Sequence, residues 1–269
     1  MDNRPIGVFD SGLGGLTALR ELRKLLPEEQ LVYFGDTGRV PYGGRSPEII
    51  LRYARQDVKF LSGFDLKAIM IACGTVCTTS MDILAAESQL PLFGVVEPAA
   101  QAAARATKNG KIGLIGTAAT IRSGAFQRLL GRVAPAAEVF AAACPLFVPL
   151  VECGRVEPGD VVIETVTAEY LAPIRAAGVD TLVLGCTHYP LLERVIGNFI
   201  GPDVALVSTG AVGARRVAEE LRAGNLLAAP GGAGACRYYV SDSTDDFARL
   251  AGLFMGAPVT GAVERVSLE

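Results

Sequence analysis

Ile69-Met70-Ile71-Ala72-Cys73-Gly74-Thr75 and Leu182-Val183-Leu184-Gly185-Cys186-Thr187-His188 share one pattern: a short apolar run ends at a cysteine with a threonine close behind. His188 is the chain's only histidine and lies two residues past the second cysteine. A short apolar run that stops at a polar, glycine-containing turn predicts a buried parallel strand. In open α/β sheets ligands bind beyond the carboxyl ends of such strands. Each half of the chain therefore offers one thiol to a site. A lone cysteine ordinarily packs in the core, and Cys77, Cys144, Cys153 and Cys236 are expected to do so. The repeated strand-Cys-Thr context sets Cys73 and Cys186 apart.

Further strand-like runs occupy 6–9, 31–34, 68–72, 92–96, 112–115, 181–184, 204–207 and 237–240, with helical periodicity between most of them. Leu16, Leu19, Leu22 and Leu26 mark one face of a helix that Pro27 stops. Ser46-Pro47-Glu48 predicts an N-cap with proline at the first helical position, opening a helix toward Leu61. Alternating strands and helices imply an α/β fold with mainly parallel sheets. Ile6-Gly7-Val8-Phe9-Asp10-Ser11-Gly12 resembles Ile112-Gly113-Leu114-Ile115-Gly116-Thr117-Ala118, and a strand-Cys-Thr element follows each at a similar interval. The expectation is two similar, pseudo-symmetric α/β domains facing each other across an active-site cleft. Residues 1–97 with 208–269 would carry Cys73, and 98–207 would carry Cys186. The returning segment comprises a helix near 210–223, a Gly/Pro loop at 230–234 and the strand at 237–240.

At 269 residues the chain can bury an ample core, and six cysteines without Cys-x-x-Cys spacing do not form a disulfide framework. A reducing cytoplasm is the expected location. The start of the chain has no signal-peptide pattern, and no apolar run is long enough to span a bilayer. Net charge is −3, with lysine and arginine scattered, so no basic stripe marks a nucleic-acid partner. Cys73 and Cys186 lack metal-ligand spacing, so no metal site is expected. Asp10-Ser11-Gly12-Leu13-Gly14-Gly15 follows a strand and opens a helix, but lacks G-x-G-x-x-G spacing and a P-loop lysine. It is expected to receive a carboxylate on its N–H groups, with Asp10 left to face a cation or a reacting proton.

Asp10-Ser11-Gly12-Leu13-Gly14-Gly15, Gly35-Asp36, Pro41-Tyr42-Gly43, Ala72-Cys73-Gly74-Thr75, Gly116-Thr117 with Thr120, Pro149-Leu150-Val151-Glu152 and Gly185-Cys186-Thr187-His188-Tyr189-Pro190 occur in order. Together they resemble the glutamate racemases, from about residue 6 to about residue 210. The resemblance implies a cofactor-independent isomerase that interconverts L- and D-glutamate for peptidoglycan, with a cysteine on each face of the substrate. It implies a homodimer as well. The few residues before the first strand are expected to carry no anchor for regulation by a cell-wall precursor.

Inverting a stereocentre by proton transfer needs one group to take the α-proton and another to deliver a proton to the opposite face. Cys73 and Cys186 would be that pair. By resemblance Asp10 would assist Cys73, while His188 with Glu152 would assist Cys186. Strand-Cys-helix turns are expected to favour thiolate at both sulfurs. Ser11, Thr75, Thr117, Thr120 and Thr187 are suitable donors to the substrate. Tyr42 and Gly43 could present backbone donors to its side-chain carboxylate, with Pro41 beside them in the same substrate-binding turn. One departure stands out: the family carries asparagine where this chain has Gly74. Either the missing amide weakens substrate binding, or the loop has adapted to glycine through a positive φ or a water bridge. The alternatives are a sibling racemase acting on aspartate or another acidic amino acid, and an impaired protein that only binds one.

Overall fold

Strand-forming segments with both faces apolar need a cover on each side, and helices supply it. In chain order the strands are β1 (Ile6–Asp10), β2 (Leu31–Gly35), β3 (Ala68–Ile71), β4 (Leu92–Gly94) and β5 (Lys111–Gly116). They continue with β6 (Glu138–Ala143), β7 (Thr181–Leu184), β8 (Ala205–Ser208), β9 (Cys236–Val240) and β10 (Val263–Arg265). This computed structural model describes residues 1–259 and 261–268; Thr260 and Glu269, both in the 208–269 segment, lie outside the described residues. The strands form two parallel sheets, ordered β10-β9-β2-β1-β3-β4 and β6-β5-β7-β8. The order β2-β1-β3-β4 thus recurs as β6-β5-β7-β8, and β9 and β10 extend the first sheet. The fold is α/β with two parallel sheets.

Register decides what leaves each sheet at its carboxyl edge. Phe9 pairs with Ile71, so Asp10 and Cys73 emerge together from the first sheet. Ile115 pairs with Leu184, so Thr117 and Cys186 emerge together from the second. The helix Leu16–Leu25 buries Leu16, Leu19 and Leu22 and ends just before Leu26 and Pro27. Proline supplies no N–H for another helical turn. After β8, the helix Thr209–Ala223 is capped by the Ser208 hydroxyl, which accepts from the Ala211 N–H, and packs against Leu16–Leu25.

Several local expectations need correction. Helix Pro47–Leu61 begins as expected, but the Ser46 side chain makes no cap hydrogen bond. The strand expected over 92–96 stops at Gly94, because Val96 already opens helix Val96–Ala106. β6 was not expected: Glu138-Val-Phe-Ala-Ala-Ala is alanine-rich, a composition that favours helix, and it forms only as the edge partner of β5. β10 is three residues long and carries no periodicity of its own. Cys153 is exposed and Cys236 half-buried, so neither is a core cysteine, whereas Cys77 and Cys144 are.

One buried ion pair fastens the far edge of the first sheet. Lys67 Nζ lies 2.5 Å from Glu29 Oε2, with side chains 0% and 2% exposed, and donates to the carbonyls of Asp2 and Leu226 at 2.8 Å each. Removing one partner leaves the other charge buried alone, which costs about 3–5 kcal/mol. Lys67→Met is expected to lower unfolding free energy by about that amount in urea titration. A loss below about 1 kcal/mol, the scale of an exposed pair, would show that the pair holds nothing.

Candidate active site

The turns after β1, β3, β5 and β7 meet around a cavity of about 360 Å³ lined from both halves. Ser11, Pro41, Tyr42 and Gly43 line it from loops of the first sheet, with Cys73, Gly74 and Thr75 from the turn after β3. Thr117, Glu152, Cys186, Thr187 and His188 line it from the second. Asp10 and Thr120 do not reach the cavity wall; they are 1% and 0% exposed and stand behind it. A wider depression of about 810 Å³ holds Cys77 and several arginines but neither of the two paired thiols. Among the described residues, no group of three or more His, Cys, Asp or Glu is arranged to hold a metal ion, and no helix is long and apolar enough to cross a membrane.

Around Cys73, the sulfur lies 3.4 Å from Ser11 Oγ. Burial, and next the Asp10 carboxyl, push its thiol pKa up, outweighing the opposing Ser11 and Val76 hydrogen bonds. The expectation of a thiolate favoured by a helix N-terminus is overturned here, because the following helix Gly74–Thr79 is only six residues long and desolvation exceeds its pull. Asp10 is also pushed up by burial, against the opposing pull of His188 and the N–H groups of Gly15, Gly12 and Ser11. The N–H groups of Ser11, Gly12 and Gly15 in the glycine-rich loop turn onto the chain's own Asp10, with Gly12 N donating at 3.1 Å.

Around Cys186 the turn leads not into an α-helix but into the short 3-10 segment Tyr189–Leu192. Cys186 Sγ lies 3.9 Å from His188 Nδ1, and His188 Nε2 lies 2.9 Å from Glu152 Oε1. Burial opposes imidazolium, but hydrogen bonds that His188 makes to the Cys186 and Glu152 side chains outweigh it and raise the His188 pKa to about 10. Phe254, from helix Thr244–Met255, stands edge-on to the imidazole with ring centroids 5.2 Å apart. No local signal marked Phe254, since only the packing of the returning helix brings it there. Pro145 and Val148 also line the cavity and were likewise not singled out, beside Pro149 of the Pro149–Glu152 motif.

Hydroxyl groups join the halves. Thr75 Oγ1 and Thr117 Oγ1 are 2.9 Å apart, and Thr117 Oγ1 donates to Thr120 Oγ1 at 3.0 Å. Thr17 Oγ1 donates to the Thr187 carbonyl at 2.8 Å. Two glycines set the closeness of approach. A Cβ at Gly14 would sit 2.2 Å from Thr187 Oγ1, and one at Gly74 would sit 2.5 Å from the Gly185 carbonyl oxygen. Gly74 is not among the residues with positive φ, so the positive-φ alternative falls and close backbone approach takes its place.

Two measurements check this geometry. As the lone histidine, His188 gives a single imidazole signal in NMR; it is expected to titrate near 10, and Glu152→Gln to lower that value. With the folded pKa raised from 6.5, its contribution to stability is full below about pH 6.5 and is lost as pH rises through about 10. A signal titrating near 6.5 in both proteins would remove the His188–Glu152 pairing. Gly74→Ala is expected to cost about 1–3 kcal/mol in urea unfolding, because the atom it meets is backbone and cannot rotate away. An unchanged midpoint would show that the two turns separate freely.

The pattern of the Asp/Glu/Hydantoin racemase family matches residues 20–217. The chain is 47% identical over 266 residues to the glutamate racemase of Geobacter metallireducens, covering 99% of this chain and 97% of that protein. The crystal structure of a glutamate racemase isoform from Bacillus anthracis superposes with a TM-score of 0.94 at 34% identity, covering 100% of this chain and 99% of that one. The Francisella tularensis glutamate racemase, solved in complex with D-glutamate, gives a TM-score of 0.92 at 34% identity, covering 100% and 99%. With likeness over its whole length and both thiols in one cavity, the chain belongs to the Asp/Glu/Hydantoin racemase family.

Proposed function

We propose that this chain interconverts L- and D-glutamate without a cofactor, Cys73 serving one face of the α-carbon and Cys186 the other. The observation that carries this reading is the pair of thiols on one small cavity, each beside its own acid-base group. The high identity to proteins named glutamate racemase supports glutamate as the substrate.

The energetic problem is proton abstraction. If the α-proton is on the order of ten pKa units less acidic than a thiol, its transfer costs roughly 14 kcal/mol. Stabilising charge on the substrate carboxylates as the carbanion forms lowers that cost, and donors already aimed at the cavity need no reorganisation. The hydroxyls of Ser11, Thr75, Thr117 and Thr187, with the backbone N–H groups of Tyr42 and Gly43, are read as those donors, and Thr120 as the support that orients Thr117.

No lysine or arginine is among the described residues lining the cavity. Beyond the His188 imidazolium, the α-ammonium of an incoming amino acid would therefore supply the positive charge beside Cys73. Placed near Cys73 and Asp10, it would pull both pKa values back down and let Asp10 take the thiol proton. On the other side, imidazolium at His188, held by Glu152, would stabilise the Cys186 thiolate or return a proton to it.

The two halves, 1–97 with 208–269 and 98–207, are read as the two domains that deliver one thiol each. D-Glutamate made here would feed peptidoglycan synthesis. Six free cysteines fit a reducing cytoplasm. Family resemblance extends the reading to a homodimer.

Chelator-treated, dialysed protein incubated with L-glutamate in D2O is expected to give D-glutamate with deuterium at the α-carbon. Cys73→Ser and Cys186→Ser are each expected to lower racemisation by 10³-fold or more, on the order of a lost general acid-base group. A single serine variant that racemises at near wild-type rate would remove the two-thiol mechanism. Racemisation of aspartate in preference to glutamate would move the chain to the sibling activity.

A further inference from the structure

Behind the 40–44 wall of the cavity lies a group of charges that the proton transfers do not use. Asp36 follows β2, Asp57 lies on helix Pro47–Leu61, and both are 0% exposed. Between them stand Tyr42, 1% exposed, and Arg39. Arg39 donates from Nε to Asp36 Oδ2 at 2.6 Å and from Nη2 to Asp57 Oδ1 at 2.8 Å. The Tyr42 oxygen lies within hydrogen-bond distance of both carboxyls: Asp36 Oδ2, and Asp57 Oδ2 at 3.0 Å.

Two counts fail if both acids are ionised. One guanidinium faces two buried carboxylates, leaving an uncompensated negative charge away from water. A tyrosine hydroxyl has one proton and cannot donate to two acceptors at once. One carboxyl oxygen must then carry a proton and donate it to the Tyr42 oxygen. Asp36 already receives Arg39 Nε and the Ser241 hydroxyl, the latter at 2.7 Å, and so suits the ionised form. Among the described residues, Asp57 receives only Arg39 Nη2 besides Tyr42.

We propose that Asp57 is kept as a neutral carboxylic acid whose O–H donates to Tyr42, and that this bond fixes the 40–44 wall of the cavity, making Asp57 a positioning residue. Its pKa is pushed well above the carboxylate range by burial and then by Asp36, against the opposing pull of Arg39 and of the Tyr42 hydrogen bond, with Asp10 adding to the push. Tyr53 packs on the Tyr42 ring, and the guanidinium groups of Arg39 and Arg52 lie over Tyr53. The wall that Tyr42 anchors continues to Gly43, which abuts Thr117 of the other half, and to Arg45, whose N–H donates to the Tyr42 carbonyl at 2.9 Å. Its kinetic consequence rests on the function proposed above.

Infrared spectra of the substrate-free protein at pH 8 are expected to contain the carbonyl stretch of a protonated carboxyl group that Asp57→Asn abolishes. The asparagine amide can still donate to Tyr42 and accept from Arg39. Asp57→Asn is therefore expected to keep KM for glutamate within about twofold, while Asp57→Ala raises KM about tenfold with a smaller change in kcat. Amide exchange at 43–45 should quicken in the alanine variant only, a readout that needs no turnover. Should Asp57→Ala fail to fold, the spectrum and the asparagine variant still decide. Identical carboxyl bands in wild type and Asp57→Asn, or an asparagine variant whose KM and exchange match those of alanine, overturn the inference. A wild-type protein with the band but no glutamate turnover overturns the proposed function and supports the neutral acid at Asp57.

Discussion

Backbone against backbone at Gly74 and Gly185, and backbone against side chains at Gly14, Thr187 and His188, is the contact on which the site depends. A Cβ at Gly74 would meet a carbonyl oxygen, so any side chain there would push the two strand-end turns apart. With glycine, the turns that carry Cys73 and Cys186 close on one cavity, and both sulfurs stay almost out of water. That exclusion has opposite effects. It strengthens every polar interaction made with a bound molecule, since the effective dielectric falls. It also makes the Cys73 thiol harder to ionise, which places the demand for a compensating positive charge on whatever binds.

The parallel registers decide what accompanies each thiol at the sheet edge, a carboxyl at Cys73 and a hydroxyl at Cys186. A parallel pair releases its two chains at the same sheet edge, so Asp10 at the end of β1 comes beside Cys73, and Thr117 after β5 comes beside Cys186. The rest of each set arrives from farther along the chain. Glu152 reaches His188 from the end of helix Phe147–Glu152, and Phe254 reaches it from the returning C-terminal segment. The two sides are consequently unlike in spite of the repeated strand order. Cys73 has a buried carboxyl and a serine, whereas Cys186 has an imidazole tied to a half-exposed carboxyl.

Buried acids in the first half are each met by a different device. Asp10 is wrapped by the N–H groups of its own loop, Glu29 is paired with Lys67, and Asp36 faces a guanidinium. The Lys67 device also ties together segments distant in sequence, since the ammonium donates to Asp2 and Leu226 as well. Burying charge in this way stabilises little in net terms, but leaving any one partner out is costly. The geometry behind the cavity is therefore firmly specified.

The apolar runs ending at Cys73 and Cys186 determined the α/β class and the strand-end position of both thiols, because burial on two faces dictates composition residue by residue. The leucine face at 16–22 and Pro27 likewise set a helix and its end, since period and the missing N–H are local properties. β6 could not be read the same way. Its alanine-rich stretch becomes a strand only because β5 offers an unpaired edge. Ionisation at Cys73 was misjudged for a related reason: helix proximity is visible in sequence, but the depth of burial that outweighs it is a property of the closed fold. Gly74 is the clearest case. The chain itself reveals that the residue is glycine, but only the assembled sheets reveal the carbonyl of Gly185 waiting 2.5 Å from where a side chain would begin.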